Sequence, residues 1–300
     1  MIAAYLTLTP DELLDRAHKL EALLDGCTLC PRACGAQRRL GETGRCREGS
    51  HVRIANAAPH FGEEDVLVGV YGSGTIFFSG CNLDCVFCQN ARISRGSDGH
   101  EIDNEELARI MLDLQSRGCH NINLVSPTHA LPFIVDAVAK ASTQGLELPL
   151  VYNTGGYDEL RTLRLLDGIV DIYMPDFKYG SNEAGSKYSG VPDYFDVATK
   201  ALREMHRQVG DLRVGPRGIA TRGLLVRHLL LPNNAAASDT VFSFLADEIS
   251  RDCFVNVMEQ YYPVYQADSY PTLSRRITRS EFQAAIRQAR AAGLHRYLPE

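Results

Sequence analysis

The sequence predicts an α/β fold of six consecutive β/α units preceded by a cysteine-rich extension. Two observations carry that expectation. From Gly74 onward, short apolar runs alternate with longer stretches whose apolar residues recur every three or four positions, as in parallel strands joined by crossover helices. Ahead of them, four cysteines crowd into residues 27–46, where no such alternation is present.

The first helix is signalled by Thr9, Pro10 and Glu12, a capping box with proline at the first helical position. Leu13, Leu14, Ala17, Leu20, Leu23 and Leu24 follow at helical spacing. Strands are expected at residues 75–79, 121–125, 148–152, 169–174, 224–231 and 254–258. Helices are expected near 104–116, 131–143, 158–166, 194–209, 239–249 and 281–292. Asp103, three residues before Glu106, offers an N-cap, and Leu107, Ile110, Met111 and Leu114 form the stripe that follows. Six units are too few to close an eight-stranded barrel, which leaves an open six-stranded barrel or a doubly wound sheet; both place chemistry at the C-terminal strand ends. The expected division is an extension over residues 1–65 and a core over 66–300.

Composition excludes other classes. The 300 residues are 45% apolar, with 31 basic against 37 acidic side chains and a formal net charge of -6. That is too apolar for a disordered chain, and no uninterrupted apolar run of roughly 18 residues suggests a membrane span. The net acidity argues against a nucleic-acid partner. The first eight residues lack basic side chains, so no secretory signal is expected and a cytoplasmic setting follows. Disulfides rarely persist there, so nine cysteines need another explanation. Cys119 and Cys253 adjoin apolar segments and read as core residues.

Cys81, Cys85 and Cys88 follow the first core strand directly. Three thiolates at this spacing on a loop can ligate three irons of a cubane and leave the fourth iron open. A structural zinc would need a fourth ligand, with His100 or His129 as candidates in space.

With Phe87 just before the last cysteine, this segment resembles the radical S-adenosylmethionine (SAM) superfamily, whose hallmark is Cys-x3-Cys-x2-Cys. The resemblance implies a partial (β/α)6 TIM-like barrel and a 4Fe-4S cluster on Cys81, Cys85 and Cys88. It further implies SAM bound at the open iron and cleaved reductively to a 5'-deoxyadenosyl radical that abstracts hydrogen from a substrate. A reductant such as flavodoxin or ferredoxin comes with it. Residues 72–81 and 121–129 resemble, within the superfamily, activating enzymes of glycyl radical enzymes, typified by pyruvate formate-lyase activating enzyme. That likeness implies a protein substrate whose glycine loses hydrogen.

The resemblance extends along the strand ends. Ser126 and Thr128 stand where the superfamily has a Gly-Gly-Glu-like stretch for the methionyl amino group. Asn153 and Thr154, with Asp176 and the Met174 carbonyl, match the activase segments that bind a monovalent cation, although Asn153 is an amide where those enzymes have a carboxylate. Lys178 is implied for the methionyl carboxylate and Arg227 for SAM. Alternation along the last strand puts Gln260 on one face with Asn256 and Met258, over the cofactor.

Cys27, Cys30, Cys34 and Cys46 read as a second metal site, either zinc or an auxiliary 4Fe-4S cluster. Two rival readings stand beside the activase one. Tyr188, Arg275 and Arg276, expected in long loops, could shape a pocket for a peptide or small metabolite. Alternatively, both cysteine groups are structural, in a non-catalytic metal-binding interaction protein.

Overall fold

The computed structural model describes residues 2–96 and 98–296. Its strands are β1 (Val52–His60), β2 (Ser73–Phe78), β3 (His100–Ile102), β4 (Ile122–Val125), β5 (Leu150–Thr154), β6 (Ile172–Pro175), β7 (Arg213–Val214), β8 (Ala220–Leu229) and β9 (Phe254–Met258). The six expected strands are β2, β4, β5, β6, β8 and β9. They pair parallel and in chain order, so every crossover turns the same way and the helices gather on one face. That order excludes a doubly wound sheet, whose strand order reverses at a switch point. No pairing joins β9 to β2 among the described residues, and the result is an open (β/α)6 TIM-like barrel.

Alternation sorts the side chains. Ile76, Ile122, Tyr152 and Val226 point outward into the layer shared with the helices. Val151, Ile172, Met174, Leu225 and Phe254 form a second cluster inside the barrel. Leu67, on the short helix Asp65–Val68, is fully buried in that inner cluster and its carbonyl accepts from Asn121 Nδ2 at 2.9 Å. The loop before β2 therefore closes the barrel floor, with roughly 1.5–3 kcal/mol gained from burying Leu67 alone. The C-terminal ends stay open, which is where the site lies.

The capping box at Thr9 forms as expected: Glu12 N donates to Thr9 Oγ1 at 3.2 Å and Thr9 N to Glu12 Oε2 at 2.7 Å. Helix Pro10–Ala22 buries Leu13, Ala17 and Leu20 and packs on helix Leu131–Thr143. The first 65 residues share one hydrophobic core with the rest, and β1 extends the sheet antiparallel to β2. β1 escapes sequence reading because Arg53, Asn56, Pro59 and His60 blur its alternation. A further helix, Asn182–Ser189, takes Tyr188 out of the loop expected there. The helix expected over 239–249 is an α-helix (Ser238–Phe244) that continues as a π-turn. No helix among the described residues is long and apolar enough to cross a membrane.

Candidate active site at the strand ends

β2 ends at Phe78, and the chain turns through Gly80 with φ at 79°. A Cβ there would stand 2.5 Å from the Cys46 carbonyl, so only glycine fits. The loop that follows is strapped from the far side: Asp84 N donates to the Ser189 carbonyl and Val86 N to that of Tyr188. Tyr188 thus serves through its backbone, and its ring is buried. Arg275 is spent on Glu281 and Asn233, and Arg276 lies over the Tyr262 ring, so the expected alternative pocket is not assembled by these residues.

Cys81, Cys85 and Cys88 line one cavity of about 270 Å³. Cys85 Sγ lies 2.9 Å from Ser189 Oγ, and Cys88 Sγ 3.3 Å from Ser94 Oγ. Phe87 joins the lining and packs edge-on against Tyr261. Burial pushes the Cys81 thiol up to about 12, so a bound metal is what would hold it as thiolate at neutral pH. Among the described residues, no three ligating side chains stand closed around a metal position. The donor set itself suits three irons of a cubane, three thiols on one loop facing a shared space that four protein ligands do not fill.

Ser126, Asn153, Thr154, Asp176, Lys178, Arg227 and Gln260 line the same cavity. Asp176 is the hub. Its Oδ1 accepts from Arg227 Nε at 2.7 Å and its Oδ2 from Lys178 Nζ at 2.7 Å. Burial alone would raise this carboxyl, but Arg227 and Lys178 outweigh it and hold the group at about 2. Lys178 is correspondingly raised by Asp176 against the opposing effect of burial. Arg227 also donates to Asn153 Oδ1 at 2.7 Å, while Thr154 Oγ1 turns away to Asp158 Oδ2. The side-chain oxygens implied for a monovalent cation, those of Asn153, Asp176 and Thr154, are therefore already engaged with a guanidinium, an ammonium and a neighbouring carboxylate. As folded, that set does not fit an added cation.

Thr128 departs from expectation. It does not line the cavity; its hydroxyl donates to Asp158 Oδ1 at 2.7 Å, in a buried network with Tyr152 and Thr154. Asp158 went unrecognised in the sequence, and burial raises its pKa. Ser126 does reach the cavity, on a left-handed backbone with φ at 56°. Along β9, Asn256 donates to Glu64 at 2.8 Å below, and Met258 and Gln260 reach the lining. Glu63, from the floor loop, meets Arg227 NH1 at 3.3 Å and was also missed. Tyr194 was the last omission: its hydroxyl contacts the Gly155 and Asp176 carbonyls and receives Lys178 N, locking the β5 and β6 ends together.

The other four thiols converge outside the cavity. The sulfurs of Cys34 and Cys46 flank Gly44, and Cys30, its pKa raised chiefly by burial, also feels the charges of Cys46, Cys27 and Cys34.

The sequence profile of the Radical SAM superfamily matches residues 75–219, the span from β2 to just before β8. An uncharacterized protein of Methanocaldococcus jannaschii, MJ0674, is 33% identical over 277 residues, covering 89% of this chain and 75% of that protein. The chain belongs to the radical SAM superfamily. A second uncharacterized M. jannaschii protein, MJ0808, is 24% identical over 265 residues, 82% of this chain and 73% of the relative. Among solved structures, native anSMEcpe with bound AdoMet shares the fold at a TM-score of 0.50 and 13% identity. The alignment covers 71% of the radical SAM chain described here and 57% of that one, a little over half its length. Membership implies an iron-sulfur cluster and SAM as cofactors.

Proposed function

We propose that this chain is a radical SAM enzyme whose 4Fe-4S cluster rests on Cys81, Cys85 and Cys88, and that it abstracts hydrogen from a carbon of a peptide or protein substrate. One observation carries the reading: the three thiols and the Asp176, Lys178 and Arg227 charges open onto a single cavity at the barrel mouth. When bound, the cluster supplies the electron that splits SAM into methionine and a 5'-deoxyadenosyl radical. With SAM bound, that radical would be able to take a hydrogen atom from a substrate C–H, leaving 5'-deoxyadenosine and a substrate carbon radical.

The chain's own groups do the rest. Lys178 offers an ammonium to the methionyl carboxylate, and Asp176 fixes its direction. Arg227, held by Asp176, Asn153 and Glu63, presents a guanidinium that cannot drift. The Ser126 hydroxyl and neighbouring carbonyls accept from the amino group in place of the missing acidic residue. Phe87 and Met258 exclude water from the reacting centre, and Gln260 sits at the rim.

A glycine of a partner glycyl radical enzyme is the substrate that the activase likeness favours, with a peptide or small metabolite as the alternative. Residues 1–65 supply the second metal site, with zinc or a 4Fe-4S cluster on Cys27, Cys30, Cys34 and Cys46. The setting is cytoplasmic, with a flavodoxin- or ferredoxin-like reductant. The test is anaerobic incubation with dithionite and SAM, with 5'-deoxyadenosine as readout and deuterated candidate substrates as hydrogen source. Deuterium in 5'-deoxyadenosine identifies the substrate. A colourless protein that forms no 5'-deoxyadenosine after reconstitution would overturn the reading.

A further inference from the structure

The four N-terminal thiols take no part in the cavity, yet three features single them out. The first is charge. Arg38 is 1% exposed; its Nε and NH1 donate to the Gly49 and His129 carbonyls, each at 3.0 Å, but NH2 has no hydrogen-bond partner among the described residues. A Cβ placed on Gly44 would lie 3.3 and 3.4 Å from the sulfurs of Cys34 and Cys46 and 3.8 Å from Arg38 Cδ, so guanidinium arm and thiols share one small space. Burying such a cation is costly, and Glu48, the buried carboxyl within electrostatic reach of it, makes its hydrogen bond to Arg53 instead. Neutral thiols do not offset it. Four thiolates around a zinc or a 4Fe-4S core do, because either assembly carries a net negative charge.

The second feature is position. Arg32, between Cys30 and Cys34, donates from Nε to the Asn82 carbonyl at 2.8 Å, between Cys81 and Cys85. Its NH1 donates to the Gly190 carbonyl at 2.8 Å, and its NH2 lies 3.4 Å from Asp84. From the other side, the Cys46 carbonyl packs on Gly80, and Arg47 meets Asp84 at 3.4 Å. The first half of the catalytic loop, Gly80 to Asp84, is held from both ends of the segment that carries the four thiols. The third feature is ligand number: four sulfurs complete a tetrahedral or cubane set and leave no position for substrate.

Resting on the reading that both cysteine groups bind metal, we propose that Cys27, Cys30, Cys34 and Cys46 hold a closed, anionic tetrathiolate centre, balanced by Arg38, that clasps the catalytic loop and stabilises the cluster there. Its contribution to catalysis is mechanical, and hydrogen abstraction does not pass through it.

The experiment uses the full chain, purified and reconstituted anaerobically. A variant with Cys81, Cys85 and Cys88 all changed to Ala is expected to retain one zinc or about four irons per chain, which metal analysis distinguishes, while forming no 5'-deoxyadenosine. Arg38→Gln should lower that metal content about tenfold, and Arg38→Lys should restore most of it. Arg32→Ala, which cuts the bridge without touching a ligand or the buried Arg38, should keep both metals but release catalytic iron to a ferrous chelator about tenfold faster. Unchanged iron release in Arg32→Ala would overturn the clasp. A triple variant without metal, its four N-terminal thiols open to alkylation, would overturn the centre itself. If the wild-type chain cleaves no SAM, the functional reading fails, while the triple variant's metal content still reports on the tetrathiolate centre.

Discussion

The two cysteine loops touch through Gly80 and Arg32 but are built to opposite plans. Around Cys81, Cys85 and Cys88 the charged groups stand across an open cavity and compensate one another, Asp176 between Lys178 and Arg227. Around Cys27, Cys30, Cys34 and Cys46 there are enough sulfurs to close a metal shell, and Arg38 keeps one nitrogen unpartnered. A site that must admit a zwitterionic cofactor balances its own charges beforehand and leaves a ligand position open. A site that only holds a metal can let the metal complete the balance.

Breaking the open loop gives the largest effect. Cys85→Ala should abolish 5'-deoxyadenosine formation, a loss of about a thousandfold or more against an intact-cluster enzyme, since an iron loses its only protein thiolate. Cys34→Ala, at the exposed end of the closed set, should lower activity only in proportion to lost catalytic cluster, measured as turnover per catalytic iron. Equal losses per iron would erase the distinction between the loops. Next comes Asp176→Asn. Removing the anion leaves Lys178 and Arg227 facing each other in a partly buried site, at a cost below the ~3–5 kcal/mol of a fully buried set. Denaturant unfolding of the metal-free chain checks this, and SAM affinity should fall with it.

The sequence disclosed the strand ends well and their supports poorly, for a physical reason. Asp176, Lys178, Asn153 and Arg227 sit where an apolar run stops, so a charged or amide group there is conspicuous. Glu63 reaches Arg227 across 164 residues of sequence from a loop with no periodicity. Asp158 likewise acquires its meaning only when the end of β4 meets β5, and Tyr194 only when β5 and β6 lie side by side. Thr128 was misplaced because the residues after Ser126 start a helical turn that carries its hydroxyl behind the strand. The cation expected from likeness to other enzymes gave way to Arg227, whose reach to both Asn153 and Asp176 depends on the β8 register.

Gly80→Ala tests the contact between the loops directly. The added Cβ would meet the Cys46 carbonyl at 2.5 Å on a left-handed backbone, for a cost of about 2 kcal/mol. If the loops act as one unit, both metals should become labile together in chelator challenge. Loss of catalytic iron alone would mean that the closed loop holds its metal without regard to its neighbour.

The smallest effect belongs to the barrel floor, where neither loop reaches, and β6 displays a similar contrast, with Asp171 offset only in part by Arg222. Above this strand Asp176 is held at about 2 by two cations; just below it Asp171 accepts only the backbone N–H groups of Ala4 and Leu150, each on its own oxygen, and burial raises it to about 6. A carboxyl raised on folding from 3.8 contributes stability that is fully present below that pH and lost as pH rises through 6. Between pH 5 and pH 7 the loss from this group should be about 1 kcal/mol. Asp171→Asn should flatten that part of the stability profile while lowering stability overall, because an amide has only one oxygen for two donors. Cluster content per folded chain should not change. If the pH slope persists in the variant, the titrating group lies elsewhere; if cluster content falls with it, floor and mouth are coupled through β6.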